Sequence, residues 1–397
     1  MLTESPLTAP FDEDYFADPY RRYAQLNDVA PVHRITTPTG VPVWLLTGYE
    51  EVRAALTDKR FARGVRYAGP GYVQDVLPGP LRSGNVMTED PPEHTRLRRF
   101  INFAFLPKRV AALRPNMQQI VDQSLDAIAG SGSADLMPTL AAPLPITVIG
   151  DILGVPDADR ADFGAWMEGL FGGDPAVMQE AGVQMVGFLH RLLALKTATP
   201  GDDLLSHLVT AEDENGERQT EQELIGQAFV LLFGGYDTTY GMIGAGAITL
   251  LRDPELLEQV RARPELLPRA IEEVLRYYGT AHTGVRRFAT EDVTIGSVTI
   301  PAGDTVLLSL AAANRDPREF PVPDRVDIHR SNLHHHIAFG RGPHHCPGSE
   351  LSRHELHVAL ETLLRRFPKL QLAVPAEEIA WRPSYIFRVP LSVPVTF

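Results

Sequence analysis

The sequence predicts a mainly helical protein with small β-sheets, an α+β arrangement in one large domain spanning residues 1–397. Three observations point there. The prolines and glycines, 33 and 32 in number, punctuate apolar-periodic segments throughout the chain and gather into no linker. One segment, opening at Thr220 and closing at Arg252, reads as a helix of about 32 residues, roughly 48 Å long. Strand-like alternation is confined to two short regions, Pro31 to Thr47 and Val293 to Leu310.

In the first region PVHRI and VPVWLLT flank the turn-like TPTG; in the second, VTI-GS-VTI runs on into TVLLSL. Each reads as a small sheet. Asp90-Pro91-Pro92-Glu93 then predicts a helix start, with Asp as N-cap, Pro in the first position and Glu in the third. His94 and Arg98, four residues apart, share a face of that helix. Thr199 to Thr220 is the most polar stretch, ending AEDENGERQT, and predicts a surface loop. Thr220 and Glu223 form a capping box for the long helix, and Arg252-Asp253-Pro254 ends it. From Ile225 to Leu251 its only charged residue is Asp237. So long an apolar run has a transmembrane reading as well. An Asp, two Thr and several Gly at its centre, with no flanking basic cluster, favour a helix through a protein core. Glu273 and Arg276 pair at i, i+3 on a later helix. The residues after Cys346-Pro347, GSELSRHELHVALETLLRRF, predict another helix.

Composition excludes several functions. With 37 Lys+Arg against 50 Asp+Glu the formal charge is −13, which argues against general nucleic-acid binding. A single cysteine rules out an intrachain disulfide and a four-cysteine zinc site. The opening MLTESPLTAPFDEDYFADPY has no basic region followed by an apolar one, so neither a secretory signal nor a membrane anchor is expected there, and the predicted location is cytoplasmic.

Two segments carry chemistry. Gly234-Gly235-Tyr236-Asp237-Thr238-Thr239 places adjacent glycines in a helix interior, at about 1 kcal/mol each relative to Ala, beside a buried acid and hydroxyl. Either a flat ligand approaches closely there, with the acid and alcohol moving protons, or the helix is kinked with a Thr bonded back to the preceding turn. In Phe339-Gly340-Arg341-Gly342-Pro343-His344-His345-Cys346-Pro347-Gly348 a glycine-rich loop delivers the cysteine just ahead of a helix. The positive end of that helix favours thiolate, the metal-binding form. A lone cysteine elsewhere in a chain would more simply be an inert buried residue.

Phe339 to Gly348 resembles the haem-binding signature F-G-x-G-x-H-x-C-x-G of the cytochrome P450 family at every fixed position. The oxygen-activation segment Gly234 to Thr239, the E-x-x-R pair Glu273 and Arg276, and the H-x-x-x-R pair His94 and Arg98 follow the family pattern in order. Stretches such as AANRDPREF and PDRVD resemble its soluble bacterial, actinobacterial-type class.

The resemblance implies haem b, bound between a long central distal helix and the cysteine loop and helix. Cys346 would be the axial iron ligand, pushing electron density towards oxygen cleavage. Gly234 and Gly235 would make room for the macrocycle, and Asp237 and Thr238 would relay protons, with Thr238 the hydrogen-bonding alcohol and Asp237 the link to solvent. His94, Arg98, Arg287 and His344 would bind the two propionates, which need cationic donors. Glu273 and Arg276 would lock to Arg325 of the later meander. Val230, Phe233, Thr283, Val285, Ile386 and Phe387 would line an apolar pocket covered by the loop from Gly64 to Asn85, with Arg286 and His282 beside it.

The implied activity is that of a haem-thiolate monooxygenase, inserting one atom of O2 into a bulky, mostly apolar substrate such as a polyketide, macrolide or aromatic natural product. Electrons would come from NAD(P)H through a ferredoxin reductase and a ferredoxin. The six Lys or Arg between His94 and Arg114, a stretch with no Asp or Glu, suggest a docking patch for the ferredoxin. No nucleic-acid or membrane partner is implied, and the protein would be a monomer. Oxidative coupling and peroxide-driven oxidation are alternatives within the family; a haem protein that only recruits a partner is one outside enzymes. A non-haem metal site is the remaining rival, because eight of the 13 histidines fall between His329 and His357. Adjacent residues such as His334-His335-His336 cannot easily aim all their side chains at one ion.

With no second cysteine to substitute, Cys346→Ser is expected to abolish monooxygenase function. The reduced, carbon-monoxide-bound variant should lack the absorption band of thiolate ligation.

Overall fold

The computed structural model describes residues 7–70, 72, 79–171 and 174–397. The helix Glu221–Leu251 runs through its centre. Thr220 and Glu223 form the capping box reciprocally, and the helix stops at Arg252, where Asp253 turns extended ahead of Pro254 and caps the next helix through the N–H groups of Glu255 and Leu256. Its two halves are buried in different places. Ile225 to Tyr236 pack into a cluster with Leu97, Phe163, Phe188 and Leu205, whereas Met242 to Leu251 pack into another with Val121, Leu144, Ile271 and Leu356. Asp237 to Gly241 fall at the seam. Among the described residues no helix is long and apolar enough to cross a membrane.

Glycine lets neighbours approach this helix. A Cβ on Gly235 would lie 2.7 Å from the Ile149 side chain, and one on Gly241 would lie 3.0 Å from both Thr280 and Val389. At Gly235 such a clash would cost about 1–3 kcal/mol, more than the roughly 1 kcal/mol that Ala gains in helix propensity. Gly234 differs, because a Cβ there would meet nothing.

Five strands form the main sheet, in the spatial order Val32–Thr36, Pro42–Leu46, Thr305–Leu308, Arg287–Ala289 and Phe61–Ala62. The first two are the antiparallel pair expected around TPTG, with Ile35 opposite Val43. Pro42–Leu46 runs parallel to Thr305–Leu308, and Val293–Ile295 folds on Val298–Ile300 as a separate hairpin. The cysteine-side helix, Ser349–Arg366, packs against the long helix and against Arg114–Asp126.

Three expectations need correction. The polar stretch 199–220 is not all loop: Asp203 caps a short helix, Leu204–Thr210, that buries Leu204, Leu205 and Leu208. The helix bearing His94 begins at Glu93 with Pro92 as N-cap, because the Asp90 carboxylate is occupied by the N–H groups of Arg63 and Gly64. Glu273 and Arg276 do form a buried, doubly bonded pair, but the third side chain is Arg330, not Arg325. Arg325 is exposed and only its carbonyl takes part, accepting from Arg276 and Arg330. Arg330 also donates to the carbonyls of Pro321 and Val322, and the Asp327 N–H completes the shell of Glu273. Every arm of this network is paired, which is the condition under which buried charge is tolerated.

Glu273→Ala would leave two buried guanidinium groups facing a hole, so it should lower stability by about 3–5 kcal/mol. Arg325→Ala should stay within about 0.5 kcal/mol of the parent, as exposed substitutions do. Denaturant midpoints compare the two directly.

Candidate active site

Gly340 and Gly342 both have positive φ, +68° and +75°, which winds the loop back on itself. The Cys346 N–H then donates to the Phe339 carbonyl at 3.0 Å, and the sulfur faces a cavity of about 320 Å³. Burial pushes the Cys346 thiol up; the Gly348 N–H and the charges of Arg98 and Arg353 pull the other way. Across the cavity lie Gly234, Gly235 and Thr238 of the long helix. Gly234 opens directly onto this space, and the Thr238 hydroxyl donates to its carbonyl at 2.7 Å. The bond back to the preceding turn is therefore present, at the cavity face.

Asp237 does not reach the cavity. Its carboxylate is buried and gripped by the two terminal nitrogens of Arg382, each at 2.9 Å. All six residues expected to line an apolar pocket do line it: Val230, Phe233, Thr283, Val285, Ile386 and Phe387. His282 is turned away, fully buried against Tyr20 and Tyr23, and Arg286 stacks over Tyr72 and Phe288. Of the expected covering loop, residues 71 and 73–78 lie outside the described residues.

One wall is strongly cationic. Arg63, Arg98 and His344 line the cavity, and the His94 ring lies 4.1 Å from that of His344. His94 is buried, yet neither ring nitrogen has a hydrogen-bond partner among the described residues; nor do the Nε atoms of Arg63 and Arg287. Arg98 donates to the His345 carbonyl, and Arg287 to those of Phe61 and Leu56. Burial holds these groups down, His94 to about 4, Arg287 to about 10, and Arg63 and His344 far below their usual ranges, with repulsion from neighbouring basic groups adding to it at His94, Arg63 and His344. The only carboxyl among the described lining residues is Glu355, which burial pushes well above the ordinary range, towards its neutral form. Unpaired buried donors with no facing anion suit a ligand that brings negative charge of its own. A flat macrocycle with two carboxylates, such as haem b, fits these residues: the basic side chains would hold its carboxylates, Gly234 would leave room for it, and Cys346 would supply a sulfur ligand.

Sequence reasoning missed Arg63, Glu355 and Arg382. Glu355 was detectable, sitting four residues after Leu351 and four before Ala359 on the buried stripe of its helix. Arg63 and Arg382 carry no local signal. The histidines rivalling this site disperse, with His335 bonded to Glu319 and His336 to Glu272. No group of three metal-ligating side chains converges among the described residues.

Comparison with known proteins finds relatives over nearly the whole chain. The family model described as Cytochrome P450 matches residues 261–375. Cytochrome P450 monooxygenase PikC of Streptomyces venezuelae is 44% identical over 96% of this chain and 92% of its own length. Mycinamicin IV hydroxylase/epoxidase of Micromonospora griseorubida is 40% identical over the full length of both. Among solved structures, the tirandamycin C-bound P450 monooxygenase TamI superposes with a TM-score of 0.89 at 39% identity, covering 97% of this chain and 98% of that one.

His94→Ala and Arg98→Ala are each expected to weaken haem retention. A hydrogen bond to a charged group is worth about 1.5–3 kcal/mol, so haem transfer to apomyoglobin should run roughly ten- to a hundredfold faster than from the parent.

Proposed function

This chain belongs to the cytochrome P450 family, and from that premise we propose that it is a haem-thiolate monooxygenase tailoring a bulky, mostly apolar natural product of the polyketide or macrolide kind. The overall reaction consumes substrate, O2, two electrons and two protons and yields oxygenated substrate and water. The observation that carries this reading is the cavity with Cys346 on one face and Thr238 on the other, walled at one edge by basic side chains, several of whose buried nitrogens have no partner among the described residues.

Haem b, when bound, supplies the redox chemistry by which O2 is reduced and one of its atoms inserted. The chain's own residues hold and supply it. Cys346 would ligate its iron, Arg98 and Arg63 would pair with the propionates, and His94 and His344 would hydrogen-bond to them, with Arg287 behind. Val230, Phe233, Val285, Ile386 and Phe387 exclude water and hold the substrate by shape, leaving Thr283 as a polar point of orientation. Thr238 Oγ1 hands protons into the cavity, and Asp237, one residue earlier and facing away, replenishes them from the solvent side.

Electrons come from NAD(P)H through a ferredoxin reductase and an acidic ferredoxin. Supporting this is a cationic surface beside the cysteine loop, narrower than the sequence count suggests. Arg96, Arg99 and Arg114 are tied to Glu223, Glu214 and Glu361, and Arg353 to Glu272 and Glu350. Lys108, Arg109 and Arg341 remain exposed, with Phe105 beside Gly348 connecting the first two to the cysteine. The protein acts as a monomer in the cytoplasm.

The test is a panel of macrolactone and polyketide products, titrated for a haem spectral shift and then turned over with NAD(P)H, reductase and ferredoxin. Thr238→Ala should still bind and consume NAD(P)H but form product roughly tenfold more slowly or worse, within the range typical of a lost general acid. Product formation by Thr238→Ala at the parent's coupling would count against the assignment.

A further inference from the structure

We propose that Arg382 is a positioning residue that ties proton delivery to substrate occupancy, by gripping Asp237 from the same turn that presents Ile386 and Phe387 to the cavity. The proposal rests on the reading of Asp237 and Thr238 as a proton-relay pair. Arg382 Nη1 and Nη2 donate to Asp237 Oδ2 and Oδ1, both at 2.9 Å. The two side chains are 15% and 3% exposed, so this is a planar, two-pronged and largely desolvated ion pair.

Arg382 belongs to a turn whose neck is closed by its own N–H donating to Val389 and by the pairing of Trp381 with Pro390. The tip is pinned to residues 280–283: the His282 N–H donates to Ile386, the Arg388 N–H to Thr280, and the Thr283 hydroxyl to the Tyr385 carbonyl. Phe387 packs edge-on against Phe233 across the cavity, their centroids 5.4 Å apart. The alcohol is tethered to the same unit, because the Thr280 hydroxyl donates to the Thr238 carbonyl at 3.0 Å. Gly241 permits this contact, since a Cβ there would press on Thr280 and Val389 at once. The acid by its side chain, and the alcohol by its backbone, are thus both attached to one closed turn whose other face meets the substrate.

A carboxylate whose two oxygens are both taken by a guanidinium is held in one orientation. To pass a proton towards Thr238 it must loosen that grip. A substrate that shifts Ile386 or Phe387 moves the turn carrying Arg382, and so alters the grip without touching Asp237. Tyr236 and Tyr240, which feel the charges of Asp237, Arg382 and Glu168, are pushed up by burial and stay protonated.

The experiment compares the holoenzyme with Arg382→Gln, Arg382→Lys and Asp237→Asn, using a macrolactone from the panel that binds the parent. Three quantities are read: spectral affinity for the macrolactone, product formed per NAD(P)H, and the solvent isotope effect on turnover. Arg382→Gln should keep the parent's haem content and carbon-monoxide band. Its affinity and coupling should both shift by roughly twofold to thirtyfold, the range of residues that couple two sites. Arg382→Lys should restore part of both, and Asp237→Asn should slow turnover and raise the solvent isotope effect. If Asp237→Asn matches the parent in rate and isotope effect, the relay reading fails and this proposal with it. If Asp237→Asn is slow but Arg382→Gln, corrected for haem content, keeps the parent's affinity and coupling, the relay reading stands and the role of Arg382 is overturned.

Discussion

Arg63, Arg98 and His344 gather at one edge of the cavity with His94 and Arg287 behind them, and among the described residues no ionised carboxylate faces them from its lining. Burial drives each of these groups towards its neutral form, and repulsion from neighbouring arginines adds to it at Arg63 and His94. A ligand bringing two carboxylates would give these buried donors partners that only the folded chain can offer, so its binding would be linked to folding. Asp90 is the partial exception. Its carboxylate holds the Arg63 and Gly64 N–H groups and lends its charge to Arg63 and Arg287. Diverted to that task, it is lost as a cap for the helix carrying His94.

The opposite wall is governed by sterics. Glycines serve two purposes along the long helix, and the structure separates them. Gly234 leaves space on the cavity, whereas Gly235 and Gly241 leave space for Ile149 and for the Thr280–Val389 contact. An identical sequence signal, glycine in a helix interior, thus marks ligand approach in one place and chain approach in the next.

Features set by local backbone chemistry were legible in the sequence. The capping box, the cysteine loop with its two left-handed glycines and the helix after it depend on neighbours a few residues apart, and each lies where the pattern puts it. The six cavity residues, five apolar and Thr283, were legible only through the family resemblance. What escaped is long-range pairing. Asp237 and Arg382 are 145 residues apart, and nothing near Arg382 distinguishes it from other arginines. Arg330 was passed over for Arg325 because both sit in one irregular meander, where no periodicity says which side chain turns inward.

The two hydrophobic clusters that hold the ends of the long helix have a consequence for how such a protein can diversify. The cluster around Ile271, Leu356 and Leu360 supports the cysteine-side helix; the one around Phe163, Met185, Phe188 and Phe233 shapes the opposite, substrate side. Phe105, Ile152 and Phe387 pack against both clusters, whereas substitutions at distant sites without shared partners add nearly independently. Repacking of the second cluster away from those three residues can therefore accumulate during evolution, admitting new molecular shapes, while the cysteine anchorage inherits little of the disturbance.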